Sequence, residues 1–333
     1  MTMKAIVYTE YGPPEVLKIK EVEKPVPKDN EVLIKVHATT VTPHDYRARS
    51  LKFPPRLWIF WLPSRIYFGL LGPKRTILGS ELAGEVVETG KNVTRFKIGD
   101  HVFAAPDTDL GAYAEYKCMP EDSSIALKPA NVSFEEAASI SFGAADALYY
   151  LRDLGDIQSG QDVLIYGASG GVGTYAVQLA KYFGAKVTGV CSGPNLEMVK
   201  SIGADRVIDY TTEDFTKAGG AYDLIFDTVG FTTFSQCKPL MKDGGVYLAN
   251  VLGIVEIFQM LWTSVMGGKK VKGGVGLIKT EKMELFKSLM ETGKIKPVID
   301  RCYPMDQVVE AHRYADMGHK KGNVVIRIEQ EKK

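Results

Sequence analysis

Residues 164–192 read LIYGASGGVGTYAVQLAKYFGAKVTGVCS, and no other stretch limits the possible folds as much. An apolar run ends in three glycines spaced three apart, Gly167, Gly170 and Gly173, then passes into a helix pattern and a second apolar run. A buried strand that turns sharply into a helix needs that layout. The first glycine permits the tight turn, the second lets backbone approach a pyrophosphate, and the third lets the helix pack closely on the sheet. Ser169, Gly171 and Val172 lie between them at the start of the helix, where free N–H groups hold an anion. The unit predicts a dinucleotide site.

Further apolar runs at 206–210, 223–229 and 245–251 follow the strands at 162–167 and 186–191, with helical patterns between. This alternation predicts an α/β fold with a parallel sheet covered on both faces. Residues 1–125 have a different texture: short strand-like segments such as AIVYT, VLIKVHATTVT and LAGEVVETG, punctuated by glycine and proline. Helical patterns are expected at 134–152, 173–183, 281–291 and 305–317, with a closing strand NVVIRI.

Composition removes several classes of function. Forty-one Lys and Arg face 40 Asp and Glu, which leaves no basic excess to select nucleic acid. Cys118, Cys191, Cys237 and Cys302 stand far apart without CxxC spacing, which fits a reducing cytoplasm better than a disulfide framework or a metal knuckle. No apolar run of the secretory type follows the start. The apolar stretches 57–72 and 251–268 are interrupted by Pro63 and Arg65 and by Glu256, so neither predicts a membrane span. Residues 57–72 read as a packed lid over an apolar pocket or, alternatively, as a surface that touches lipid.

The second strand of the dinucleotide unit ends in Cys191-Ser192-Gly193, with no acid before Glu197. An acid there commonly binds the ribose hydroxyls of NAD. Its absence predicts NADP, with Ser192 donating to the 2′-phosphate; NAD remains the alternative because no Lys or Arg follows. Val229-Gly230-Phe231 and residues 250–253 follow later strands, whose ends flank a cofactor crevice; their backbone is expected to bind the ribose and carboxamide, with Phe231 and Leu252 as walls for the ring.

The segments LGSELAGEVVETGKNVTRFKIGDHVFA (78–104), VLIYGASGGVG (163–173), GADRVIDY (203–210), YDLIFDTVG (222–230) and GHKKGNVVI (318–326) complete the pattern. Together they resemble the zinc-free, quinone-oxidoreductase-like branch of the medium-chain dehydrogenase/reductase superfamily, over essentially the whole chain. The resemblance implies a discontinuous GroES-like substrate domain (1–125 and 277–333), a Rossmann cofactor-binding domain (126–276) and a cleft between them. It also implies a homodimer, joined through a sheet edge near 269–276. Tyr210 is implied as a second group near the 2′-phosphate. Zinc-dependent relatives carry a catalytic cysteine and a Gly-His-Glu motif; here those places read Thr42 and Gly79-Ser80-Glu81, and no cysteine-rich lobe lies between Gly99 and Tyr113. No metal is therefore expected.

Without a Lewis acid to hold an alkoxide, the better acceptor for hydride is a quinone or an α,β-unsaturated carbonyl, where conjugation spreads the charge. Tyr46 is the candidate hydrogen-bond donor, with core packing as its other reading, and Thr42 the candidate for positioning the ribose or the carbonyl oxygen. Asp45 is read as structural, partnered by Arg47 or Arg49. Asp146 stands where relatives commonly hold threonine near the nicotinamide; it reads as a helix cap or as a group that weakens turnover. Trp58, Phe60, Trp61, Tyr67 and Phe68 form an aromatic stretch suited to an apolar acceptor or to a core. Two other functions stay open: a zinc-independent NAD(P)-dependent alcohol dehydrogenase, and a cofactor-binding interaction protein with little catalysis.

Overall fold

The computed structural model describes residues 1–106 and 109–328; the last part of the expected 277–333 segment, 329–333, lies outside the described residues. Its strands are β1 (Thr2–Val7), β2 (Lys18–Glu23), β3 (Glu31–Thr40), β4 (Leu82–Thr89), β5 (His101–Ala104), β6 (Tyr116–Pro120) and β7 (Ile125–Leu127). Then come β8 (Asp162–Tyr166), β9 (Lys186–Cys191), β10 (Arg206–Asp209), β11 (Tyr222–Asp227), β12 (Met241–Ala249) and β13 (Lys270–Lys272). The last two are β14 (Ile299–Pro304) and β15 (Asn323–Arg327). The chain forms two compact units: Met1–Lys52 with Trp61–Phe142 and the segment from Ile278 onward, and Phe53–Phe60 with Gly143–Leu277.

The second unit is one six-stranded parallel sheet in the order β10-β9-β8-β11-β12-β13. This is the doubly wound arrangement, and its order reverses between β8 and β11, where the ends of the strands leave a crevice for a nucleotide. Val163, Leu164 and Ile165 of β8 are fully buried, as a central strand covered on both faces requires. The helix Gly173–Tyr182 follows the glycine turn and buries eight of its ten residues. The edge strand expected near 269–276 is β13.

The first unit holds a sheet ordered β14-β15-β3-β4-β5-β7, with β6 also on β3, and a separate β1-β2 hairpin. Ile34, Val86, Val102 and Ile326 lie in its buried core, so the closing strand is structural to the unit.

Three expectations need correction. The boundary placed at 126 falls at 143, because the helix Phe134–Ala138 stays with the first unit. Its N-terminus is closed by a Ser133–Glu136 capping box, and the Phe134 ring stacks on His37 of β3 at 4.2 Å. Residues 53–60 belong to the second unit, tied there by Arg56. The single helix read over 134–152 is broken into Phe134–Ala138, Ser141–Leu148 and a π-helical turn Tyr149–Leu154. The apolar run 251–268 contains the helix Ile254–Met266, and among the described residues no helix is long and apolar enough to cross a membrane.

Candidate functional site

The glycine turn follows β8 as its sequence requires. Gly167 has φ +79°, and a side chain on it would meet Thr228 Oγ1 at 2.6 Å and Val229 at 2.8 Å. Thus the turn after β8 and the loop after β11 close on each other at the switch point. A Cβ on Gly173 would lie 2.0 Å from the Gly167 carbonyl oxygen, so only glycine lets the helix sit this close. Gly170 differs, because its nearest neighbour would be 3.4 Å away and the chain leaves that space open. Among the described residues, no acceptor takes the N–H of Gly171 or Val172. An open approach and unspent donors at a helix start fit a pyrophosphate.

At the end of β9, the Asn195 amide donates to Ser169 Oγ (3.2 Å) and to Ser192 Oγ (3.0 Å). Each serine accepts from Asn195, so its own proton is available to an anion. Asn195, which sequence reasoning passed over, thereby joins the two candidate serines. A second group was also missed. Asp209 pairs in register with Cys191, and a Cβ on Gly193 would lie 2.6 Å from its Oδ2. Hydrogen bonds from Thr211 hold its carboxyl below the ordinary value. The reading of an acid-free strand end was incomplete, because the acid arrives from the neighbouring strand. Tyr210 follows, 45% exposed, with its ring 6.1 Å from that of Tyr166. The Cys191 side chain is buried, and burial pushes its thiol up to about 11.

The loop after β11 is held from both sides. Asp227 Oδ1 accepts from the N–H groups of Val229 (3.1 Å) and Gly230 (2.7 Å). Its Oδ2 accepts from Thr232 N–H and Thr232 Oγ1, each at 2.8 Å. Arg56 donates to the carbonyls of Gly230 (2.6 Å) and Thr232 (2.9 Å) and pairs with buried Glu256 at 3.3 Å. Neither Asp227 nor Arg56 was named from sequence, although Asp at a strand end before Thr-Val-Gly is a turn signal. Phe231 is 80% exposed. Leu252 is half-buried, packed against the core of the unit and over Gly273. Asp146 is the sixth residue of the helix Ser141–Leu148, so it does not cap that helix.

In the first unit, Pro43 at the first helical position and Asp45 two residues later start the helix Pro43–Ser50, capped by Thr42. Asp45 Oδ2 accepts from Thr42 N–H (2.9 Å), Thr42 Oγ1 (2.7 Å) and Ser80 Oγ (3.1 Å), and Oδ1 accepts from Gly79 N–H (3.0 Å). Burial pushes the Asp45 carboxyl above its ordinary value, while the Thr42 hydrogen bonds oppose this. Thr42 spends its proton on Asp45, which leaves none for a substrate oxygen. Arg47 and Arg49 are not Asp45's hydrogen-bond partners: Arg49 pairs with Asp316 (2.6 Å) and donates to His312 Nδ1 (2.8 Å). Beside this cluster, Glu81 accepts from Thr40 Oγ1 (2.5 Å) and Phe142 N–H (2.8 Å), and burial pushes its carboxyl up to about 7.

The places of the zinc ligands are thus filled by hydroxyls bonded to one carboxylate. Among the described residues, no three His, Cys, Asp or Glu side chains gather as a metal-binding group. This donor set does not fit zinc. Tyr46 packs its ring against the core of the first unit, and among the described residues its hydroxyl bonds to nothing. Burial raises its phenol above the ordinary value, so it stays a donor at neutral pH. Of the aromatic stretch, Phe68 packs into the core, whereas Trp58, Phe60, Trp61 and Tyr67 are exposed.

A family model described as alcohol dehydrogenase GroES-like domain matches residues 28–129, and one described as zinc-binding dehydrogenase matches 202–326. The second span includes neither Thr42 nor Ser80. The chain is 35% identical over 339 residues to the 2-methylene-furan-3-one reductase of Solanum lycopersicum, covering 97% of this chain and 79% of that one. It is 33% identical over 338 residues to the chloroplastic quinone-oxidoreductase homolog of Spinacia oleracea, covering 97% and 98%. The solved structure of the quinone oxidoreductase from Coxiella burnetii aligns with a TM-score of 0.86 at 30% identity, over 99% of this chain and 100% of that one. A GroES-like unit and a Rossmann unit with this glycine turn define an oxidoreductase that uses a nicotinamide cofactor. The chain belongs to the quinone-oxidoreductase-like branch of the medium-chain dehydrogenase/reductase superfamily.

Proposed function

We propose that the chain is a zinc-independent, NADPH-preferring reductase of quinones or α,β-unsaturated carbonyls. The observation that carries this reading is the closed Thr42–Asp45–Ser80 cluster where a metal would need ligands, with the unpartnered Tyr46 hydroxyl nearby in sequence. The names of the relatives, a furanone reductase and a quinone-oxidoreductase homolog, support the acceptor class.

In this reading Gly167, Ser169, Gly170, Gly171, Val172 and Gly173 hold the pyrophosphate. Ser192 and Tyr210 face the 2′-phosphate. The Val229–Gly230 backbone, fixed by Asp227 and Arg56, contacts the nicotinamide end. The bound cofactor supplies hydride. With an enone as acceptor, the charge would gather on the carbonyl oxygen and solvent would supply the proton at the α-carbon. Tyr46 donates a hydrogen bond to the oxygen that gains charge, and Thr42 holds the cluster rather than touching substrate. We further propose a homodimer formed along the edge of β13, and a reducing, cytoplasmic setting suited to four free cysteines.

Oxidation of NADPH against a panel of quinones and enones tests the function. Acceptor-stimulated turnover is expected with no stoichiometric zinc by elemental analysis, and chelators should leave the rate unchanged. Tyr46→Phe should lower kcat by about tenfold to a hundredfold, the worth of one hydrogen bond to developing charge, with cofactor affinity unaltered. No stimulation by any acceptor, or one zinc per chain lost together with activity, would sink the reading.

A further inference from the structure

We propose that residues 61–75 dock the protein onto an anionic lipid surface. Residues 61–75 carry three basic residues, Arg65, Lys74 and Arg75, and no acidic one, in a sequence whose charges otherwise balance at 41 to 40. Within that stretch the helix Trp61–Phe68 is fastened to the first unit by few groups. Phe68 packs into the core, the Tyr11 hydroxyl donates to the Gly69 carbonyl (2.9 Å), and the Arg65 guanidinium lies 4.8 Å over the Tyr11 ring.

The remaining apolar side chains face outward. Trp61, Leu62, Ile66, Tyr67 and Leu70 are each between 43% and 58% exposed, and Leu71 is fully exposed. Large apolar residues grouped in this way on a surface mark an interaction site. Composition selects the occupant. Trp, Tyr, Leu and Ile beside Arg65, Lys74 and Arg75 are the mixture that lies at a headgroup boundary, with apolar groups in the acyl region and cations on the phosphates. Asp109 neutralises part of Arg75 at 3.2 Å, and Arg65 and Lys74 leave the segment positive among the described residues. A second copy of the chain suits this face less well, because a twofold contact sets a patch against itself and brings Arg65, Lys74 and Arg75 near their like. Eight helical residues span about 12 Å, so the contact is peripheral.

The proposal is independent of the reductase reading and is tested on the whole protein, with Trp58→Phe and Trp262→Phe so that Trp61 alone reports. Vesicles of phosphatidylcholine, with and without phosphatidylglycerol, serve as probes. The protein should sediment with the anionic vesicles only and be released as salt rises. Trp61 emission should shift to the blue and be quenched by chain-brominated lipid. Leu62→Ser combined with Leu71→Ser should lower partitioning by about tenfold or more, with an unchanged thermal midpoint. Equal sedimentation with both vesicle types or with neither, or a Trp61 that bound lipid leaves unquenched, overturns the proposal. A smaller oligomer for the double variant would instead assign the face to a second copy.

Discussion

Ser192 sits between two influences of opposite sign. By donating to its oxygen, Asn195 leaves the Ser192 hydroxyl proton free for an acceptor such as a phosphate, whereas Asp209 places a carboxylate against Gly193, the next residue. A hydroxyl donating to a charged phosphate is worth about 1.5–3 kcal/mol, but the Asp209 carboxylate works against it and no Lys or Arg follows Ser192 directly, so the NADPH preference should be modest, roughly three- to tenfold. Fluorescence titration of both reduced cofactors checks this. Ser192→Asp should reverse the order, and Asp209→Asn should widen it in favour of NADPH. A parent that binds NADH more tightly would refute this account of the strand ends and leave the fold untouched. Asn195→Ala should weaken both cofactors, since it frees two serines at once.

The glycine turn allows its three positions to be separated by experiment. Gly173→Ala drives a methyl into the Gly167 carbonyl and should cost about 1–3 kcal/mol of stability, with loss of cofactor binding. Gly170→Ala meets nothing closer than 3.4 Å, so it should melt like the parent yet bind cofactor far more weakly. Melting curves and titrations on the pair decide the matter; equal destabilisation by both would show that the second glycine has no role in approach. Elements of this kind were legible because spacing along one chain determines them. Asp209 was not legible, since it reaches Gly193 across a sheet and only register brings β10 beside β9. Arg56 was hidden for a related reason: it binds backbone carbonyls, which no side-chain pattern announces. The break at Tyr149–Leu154 escaped a periodicity reading because one added residue in a helical turn leaves the apolar spacing nearly intact. Residues 57–72 are apolar whether they lie under a lid or on a surface, and composition does not separate the two.

At the scale of the whole molecule, two fully buried groups of the first unit give stability opposite dependences on pH. His312 accepts from Arg49 at Nδ1, so its proton sits on Nε2, 3.0 Å from the Tyr113 hydroxyl. Burial and Arg49 push it well below its ordinary value. The unfolded chain takes up that proton below about pH 6.5 and the folded chain does not, so stability is lost on acidification at up to about 1.4 kcal/mol per pH unit. Glu81, pushed up to about 7 by burial, works the other way: its contribution is full below about pH 4.5 and disappears as pH rises through 7. Relative to the parent, His312→Gln should make stability climb as pH falls from 6.5 to 5, and Glu81→Gln should make it drop. Denaturant titrations at several pH values read both slopes. Parallel curves for the three proteins would show that neither group stays neutral in the fold.

The position of β15 has a consequence for how the chain is made. Val325 and Ile326 pair with Thr40 and Thr39, and Val41 N–H donates to the Val324 carbonyl at 2.9 Å. The strand that closes this part of β3 therefore leaves the ribosome after every strand of the second unit. A nascent chain holds a finished parallel sheet while the strand leading to Thr40 and Thr42 still offers an open edge, the kind of surface on which chains aggregate. The hydroxyl–carboxylate cluster is then among the last parts of the protein to acquire its surroundings. A chain interrupted late in synthesis would keep its nucleotide fold and lose the support behind its chemistry.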